Sequence, residues 1–218
     1  MNRKNNQLII LLLVCVASTI AATAYMDGRK GEQRQFDVMD NISQGDQKLR
    51  VSIPDATWEP EFFESIETYI KQINLPSLRT IVLPNKDDLE VRIWADLRPN
   101  KLDAIVLRRI NNQWSAVHVK GANKHQGASP TPKNLAKPKS GWDGAWDKLV
   151  GAGILTLPDA SEVKCNVVMI DGMVFIIETN FKWHYRTYAY ANPQEEKCNE
   201  AKQMISIIQI IHDEFALE

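Results

Sequence analysis

Residues 89–120 read LEVRIWADLRPNKLDAIVLRRINNQWSAVHVK. Leu89, Val91, Ile93 and Ala95 alternate with Glu90, Arg92 and Trp94, the period-two pattern of a strand with one buried face. Asp103 to Ile110 and Trp114 to Lys120 repeat the strand composition, and Asn111-Asn112 between them suits a tight turn. The stretch predicts a three-stranded antiparallel meander.

On its N-terminal side, Phe62, Phe63, Ile66, Tyr69, Ile70 and Ile73 recur at three and four residues, which predicts an amphipathic helix ended by Pro76. On the C-terminal side, residues 121–141 carry Pro130, Pro132 and Pro138 with Gly121, Gly127, Ser129 and Ser140, and read as a loop. Lys124, Lys133, Lys137 and Lys139 lie in it without an acid, which suits a solvated loop better than a reader of anionic surfaces. Trp142 to Val150 predicts a short helix. Val163 to Ile170 and Met173 to Thr179 flank Asp171-Gly172, a pair that favours a type I′ hairpin, and Trp183 to Tyr190 follows as a third strand. The last element is a helix with Asn192 as cap, Pro193 at its first position and Glu195 and Glu196 in its first turn. Its stripe is Cys198, Ala201, Met204, Ile205, Ile208, Ile211 and Phe215. The expected fold class is α+β, with antiparallel sheet meanders packed against a long C-terminal helix.

A two-residue turn at Asp171-Gly172 pairs Cys165 with Glu178, Val167 with Ile176 and Met169 with Val174. Closing the next turn around Lys182 sets Arg186 opposite Glu178, Tyr188 opposite Ile176 and Tyr190 opposite Val174. Glu178 is then internal, and Arg186 is its expected ion-pair partner, because a buried lone carboxylate costs several kcal/mol. A Cys165–Cys198 disulfide would lay the last helix on this same face.

The first residues hold Arg3 and Lys4, Leu8 to Ala22 is apolar apart from Ser18 and Thr19, and Ala22-Thr23-Ala24 supplies small residues for cleavage before Tyr25. Residues 1–24 thus read as a signal peptide, and an uncleaved leader would instead anchor the chain in the inner membrane. Residues 25–50 are polar and charged, a flexible tether ahead of one domain over 51–218. Cys15 leaves with the leader, so Cys165 and Cys198 remain as a pair suited to an oxidising compartment. The whole chain has 26 basic and 27 acidic residues, and loss of Arg3 and Lys4 leaves 24 against 27. That balance argues against nucleic acid as the main partner.

No phosphate loop, Gly-x-Ser-x-Gly elbow, His-Glu-x-x-His run or Cys-x-x-Cys pair is present. His118, His125, His184 and His212 stand apart, so neither a metal site nor a cofactor is expected. The most distinctive stretch is Trp183 to Tyr190, where His184, Arg186, Tyr188 and Tyr190 suggest a ligand-binding surface of aromatic rings beside cations. The competing reading is that these tyrosines fill a sheet.

With Trp142, Trp146, Leu157-Pro158-Asp159, Asp171-Gly172, Tyr185-Arg186-x-Tyr188 and Asn192-Pro193, residues 140–218 resemble a group of uncharacterised exported bacterial proteins. The resemblance implies a secreted globular domain and carries no functional residue with it. The function expected is that of an exported, non-catalytic binding or inhibitor-type protein, periplasmic or secreted, with a protein or glycan partner in the cell envelope. The alternatives are a hydrolase or transferase using Glu178, His184 and Arg186, and a membrane-anchored assembly subunit.

Overall fold

The computed structural model describes residues 48–54, 59–95, 103–120, 131–164 and 172–217, all within one compact unit spanning Gln47–Glu218. The leader, Cys15, most of the tether, His125, Lys124, Cys165 and Asp171 lie outside the described residues. Seven strands form one sheet: β1 (Arg50–Ser52), β2 (Leu89–Ala95), β3 (Asp103–Ile110), β4 (Gln113–Lys120), β5 (Thr131–Asn134), β6 (Val174–Phe181) and β7 (His184–Ala191). Their spatial order is β1-β7-β6-β2-β3-β4-β5, and every pair is antiparallel except β1 with β7. Among the described residues three helices cover the sheet: α1 (Glu59–Gln72), α2 (Trp142–Gly151) and α3 (Asn199–Phe215). The fold is α+β.

The meander of β2, β3 and β4 forms as its alternation predicts. Asn111 and Asn112 close β3 onto β4 with φ of 52° and 61°, the left-handed angles of a type I′ turn that asparagine tolerates well. Odd-numbered residues of β2 face α2 and α3, where Leu89, Val91 and Ile93 join Leu149, Met204, Ile207 and Ile211. On the other face Trp94, Ala104, Val119, Ile176 and Tyr185 pack with Phe63, Ile66, Tyr69 and Ile70 of α1. β2 and β6 are consequently buried on both sides, the condition of the centre of a three-layer sandwich.

Several expectations are corrected. Both edges of β6 are occupied, by β2 and β7, which leaves no edge for the expected hairpin; Val163 and Lys164 lie in a turn, and the rest of that expected strand lies outside the described residues. Residues 131–134, read as loop, form an edge strand whose pairing with β4 is a tertiary contact that local composition does not encode. Proline, which lacks a backbone donor, is tolerated there at Pro132 because an edge strand needs only one bonded side. Arg50, placed in the tether, begins β1. The last helix starts at Asn199 with Cys198 as its cap, and Pro193–Glu195 is a separate 3-10 turn. Its buried stripe is Ala201, Met204, Ile207 and Ile211, with Ile205 and Ile208 at its margins.

Asn192, expected to cap that helix, adopts a left-handed conformation with φ of 46° and turns back on Met173. Its Oδ1 accepts the Met173 N–H at 2.8 Å while its own N–H donates to the Met173 carbonyl at 2.8 Å. Gly172 lies against this side chain, where a Cβ would stand 1.8 Å from the Asn192 Oδ1. Close approach is therefore what requires glycine here. Gly172→Ala should cost about 1–3 kcal/mol by overpacking, read as a lower urea midpoint; an unchanged midpoint would count against the contact.

Candidate functional site

β6 and β7 are joined by a two-residue turn, Lys182-Trp183, with φ of 52° and 56°. This sets Glu178 opposite Thr187 and Thr179 opposite Arg186, one residue away from the register expected from sequence. A one-residue slip moves every side chain to the other face. Glu178 and Arg186 thus lie on opposite sides of the sheet, and the expected ion pair is not formed. For the same reason Glu178, His184 and Arg186 do not converge on one site. The last helix also packs on the face away from Glu178, which removes the layering inferred from Cys165 and Glu178.

On the α1 side, Glu178 is 1 % exposed and accepts hydrogen bonds from Trp94 Nε1 at 2.7 Å and the Tyr185 hydroxyl at 2.9 Å. Its cross-strand neighbour Arg92, fully buried, donates from Nε to Glu90 at 2.7 Å, and Arg108 donates to the same carboxylate at 2.7 and 3.1 Å. Arg92 Nη1 and Nη2 have no hydrogen-bond partner among the described residues. The Glu90 carboxylate is held between the Arg92 and Arg108 guanidinium groups, which is how charge survives in a sheet interior. Burial pushes the Glu178 carboxyl above its ordinary value, opposed by the Arg92 charge and the Trp94 and Tyr185 donors.

On the α2 and α3 side, the proposed ligand surface is turned inward. The Tyr188 hydroxyl donates to the Ile154 carbonyl and the Tyr190 hydroxyl to the Pro158 carbonyl, both at 2.8 Å. Arg186 donates to the carbonyls of Leu155 and Leu157, and the Asp159 carboxylate accepts the Ala189 N–H at 2.7 Å. Tyr188 and Tyr190 are 0 % and 1 % exposed. The Arg186, Tyr188 and Tyr190 side chains supply donors to carbonyls of an irregular segment that has no sheet or helix to satisfy them. His184 sits near the edge, 2.8 Å from Ser52 Oγ, with burial and the charges of Arg50 and Arg186 lowering its pKa.

An open site lies elsewhere. A cleft of about 490 Å³ is lined, among the described residues, by His118, Lys120, Lys133, Leu135, Phe215 and Leu217, with Ala216 between the last two. β5 places Lys133 directly opposite His118, and Lys120 follows two residues along on the same face of β4. The ring of His118 is bonded to Asp103. The wall facing them is the end of α3, where Ala216 takes a left-handed φ of 49° and the Leu217 N–H returns to the His212 carbonyl at 3.1 Å. Along the chain Lys133 stands among loop lysines and His118 is isolated; only the β4–β5 pairing brings them together. No group of three or more potential metal ligands occurs among the described residues.

Comparison with known proteins finds no family model, no curated protein and no solved structure that matches this chain.

Tyr188→Phe keeps the ring and leaves the Ile154 carbonyl unsatisfied, so a loss of about 1–3 kcal/mol is expected in urea unfolding. For Glu178 the folded state holds the proton more tightly than the unfolded chain. Its contribution to stability is fully present below the ordinary carboxylate range and is lost as pH rises through the raised value. The stability of the wild type minus that of Glu178→Gln should therefore fall as pH rises above the ordinary carboxylate range, and a flat difference would refute this assignment.

Proposed function

We propose that the protein is an exported, non-catalytic binding protein of the cell envelope and that the cleft between β4–β5 and the end of α3 is its binding site. One observation carries the choice of site: Lys120 and Lys133 have no ion-pair partner among the described residues, yet they border an apolar wall in a ligand-sized concavity. The inward-turned hydroxyls of Tyr188 and Tyr190 speak against the aromatic surface first expected. The separation of Glu178 from His184 speaks against the catalytic trio.

Export is supported by the basic, apolar and small-residue regions of residues 1–24. A Cys165–Cys198 disulfide belongs to the same reading. Cys198 caps α3, where its sulfur accepts the Ala201 N–H at 3.3 Å, and a bridge there would tie the helix start to the segment before β6. Among the described residues no helix is long and apolar enough to cross a membrane.

Expressed in full with its leader, the protein should be recovered from the envelope fraction with Tyr25 as its first residue. A cytosolic chain retaining Met1 would overturn export, and an intact leader in the membrane fraction would favour the anchored subunit. Unfolded without reductant, the mature chain should show no free thiol. Envelope material retained on the immobilised protein should be lost with a Lys120→Gln, Lys133→Gln variant; unchanged retention would remove the cleft from the reading.

A further inference from the structure

We infer that the cleft takes an amphipathic carboxylate, a single anionic head on an unbranched apolar tail. This rests on the binding reading above and names its ligand class. The head is specified by two ammonium groups. Lys120 and Lys133 sit diagonally across β4 and β5, which places their Cα atoms about 7–8 Å apart, close enough for both flexible stems to reach one carboxylate. Without an anion these like charges repel each other. Asp103 stands directly opposite Lys120, but it is one carboxylate already shared with His118, so two ammonium groups face a single acid there.

The tail is specified by the opposite wall. The Leu135 N–H is held by the Ala116 carbonyl at 2.8 Å, which fixes Leu135 at the cleft floor. Phe215, Ala216 and Leu217 form the facing side, where the chain takes a left-handed turn at Ala216. That conformation usually falls to glycine, so alanine here adds a methyl group to the wall at a backbone cost. A small inorganic anion would meet the lysines and leave this wall uncovered in a space of about 490 Å³.

A sugar fits less well. The nearby indoles are already stacked: Trp114 and Trp142 lie 6.1 Å apart with planes 6° from parallel, Phe215 packs on Trp142 at 6.0 Å, and Arg109 stands over Trp114 at 5.3 Å. Their faces are engaged, whereas stacking on a sugar ring needs a free one. Two lysines are also too few for a nucleic-acid backbone.

The test is calorimetric titration of the mature, oxidised protein with decanoate, decan-1-ol and inorganic phosphate. Decanoate should bind at one saturable site with a Kd below about 1 mM, weakened at least about tenfold in the Lys120→Gln, Lys133→Gln variant. Both lysines are exposed, so the variant should keep the wild-type melting temperature. A Leu217→Asp variant should weaken decanoate similarly while leaving α3 folded by circular dichroism. Equal binding of decan-1-ol would overturn the anionic head, equal binding of phosphate would overturn the tail, and absence of decanoate binding would overturn both. If decanoate fails while envelope retention still depends on Lys120 and Lys133, the ligand class falls and the binding role remains.

Discussion

The turn at Lys182-Trp183 holds β7 against β6, and the identity of each face of the sheet follows from that lock. Both residues take left-handed angles, a conformation that costs non-glycine residues free energy and persists only where the flanking strands over-determine it. With eight paired positions on either side, the cost is met by the ladder. Tyr185 then turns towards Glu178 and α1, while Arg186, Tyr188 and Tyr190 are distributed to the other layer. Shifted by one residue, the tyrosines that hold Ile154 and Pro158 would face α1, and the irregular segment between α2 and the 3-10 turn at Ala160–Glu162 would lose its donors.

The same lock explains a charged interior. Glu90, Arg92, Arg108 and Glu178 share the α1 side of the central strands, surrounded by Trp94 and Tyr185. Removing Glu90 or Arg92 from such a set leaves an uncompensated charge. Polar geometry of this kind fixes which strand neighbours which, because an apolar face alone would accept more than one register. A comparable anchor ties the opposite layer: Glu214 of α3 accepts from Lys148 of α2 and from the Ser140 N–H, and the Lys148 bond, then the backbone bond, holds its carboxyl below the ordinary range.

The cleft occupies the place where these ties end. Beyond the last turn of α3 the chain folds back, and beyond Asn134 the edge strand gives way to Leu135, so an apolar wall and two lysines face one another across an opening. Binding sites commonly form where a rigid scaffold stops and irregular backbone begins. Here the scaffold is the β3–β4 hairpin, which fixes His118 and Lys120 whatever occupies the cleft.

Local pattern alone determined β2, β3, β4 and the existence of the three helices. The alternation of β2, the Asn-Asn turn of β3 and β4, and the helical stripes of α1, α2 and α3 are local properties, carried by residues within a turn or a few strand positions of each other. The short turn between β6 and β7, the partners of β6 and the existence of β5 are not local. Each depends on which edge is still unpaired once the sheet assembles, and composition does not record that. Burial of Glu178 was legible, since an acid within an apolar strand must face inward or outward with its neighbours. Its partners were not, because the count of residues in one turn decides the face. His118, Lys120 and Lys133 line one cleft only through strand pairing, and the fold-back at Ala216 supplies its facing wall; neither leaves a pattern along the chain.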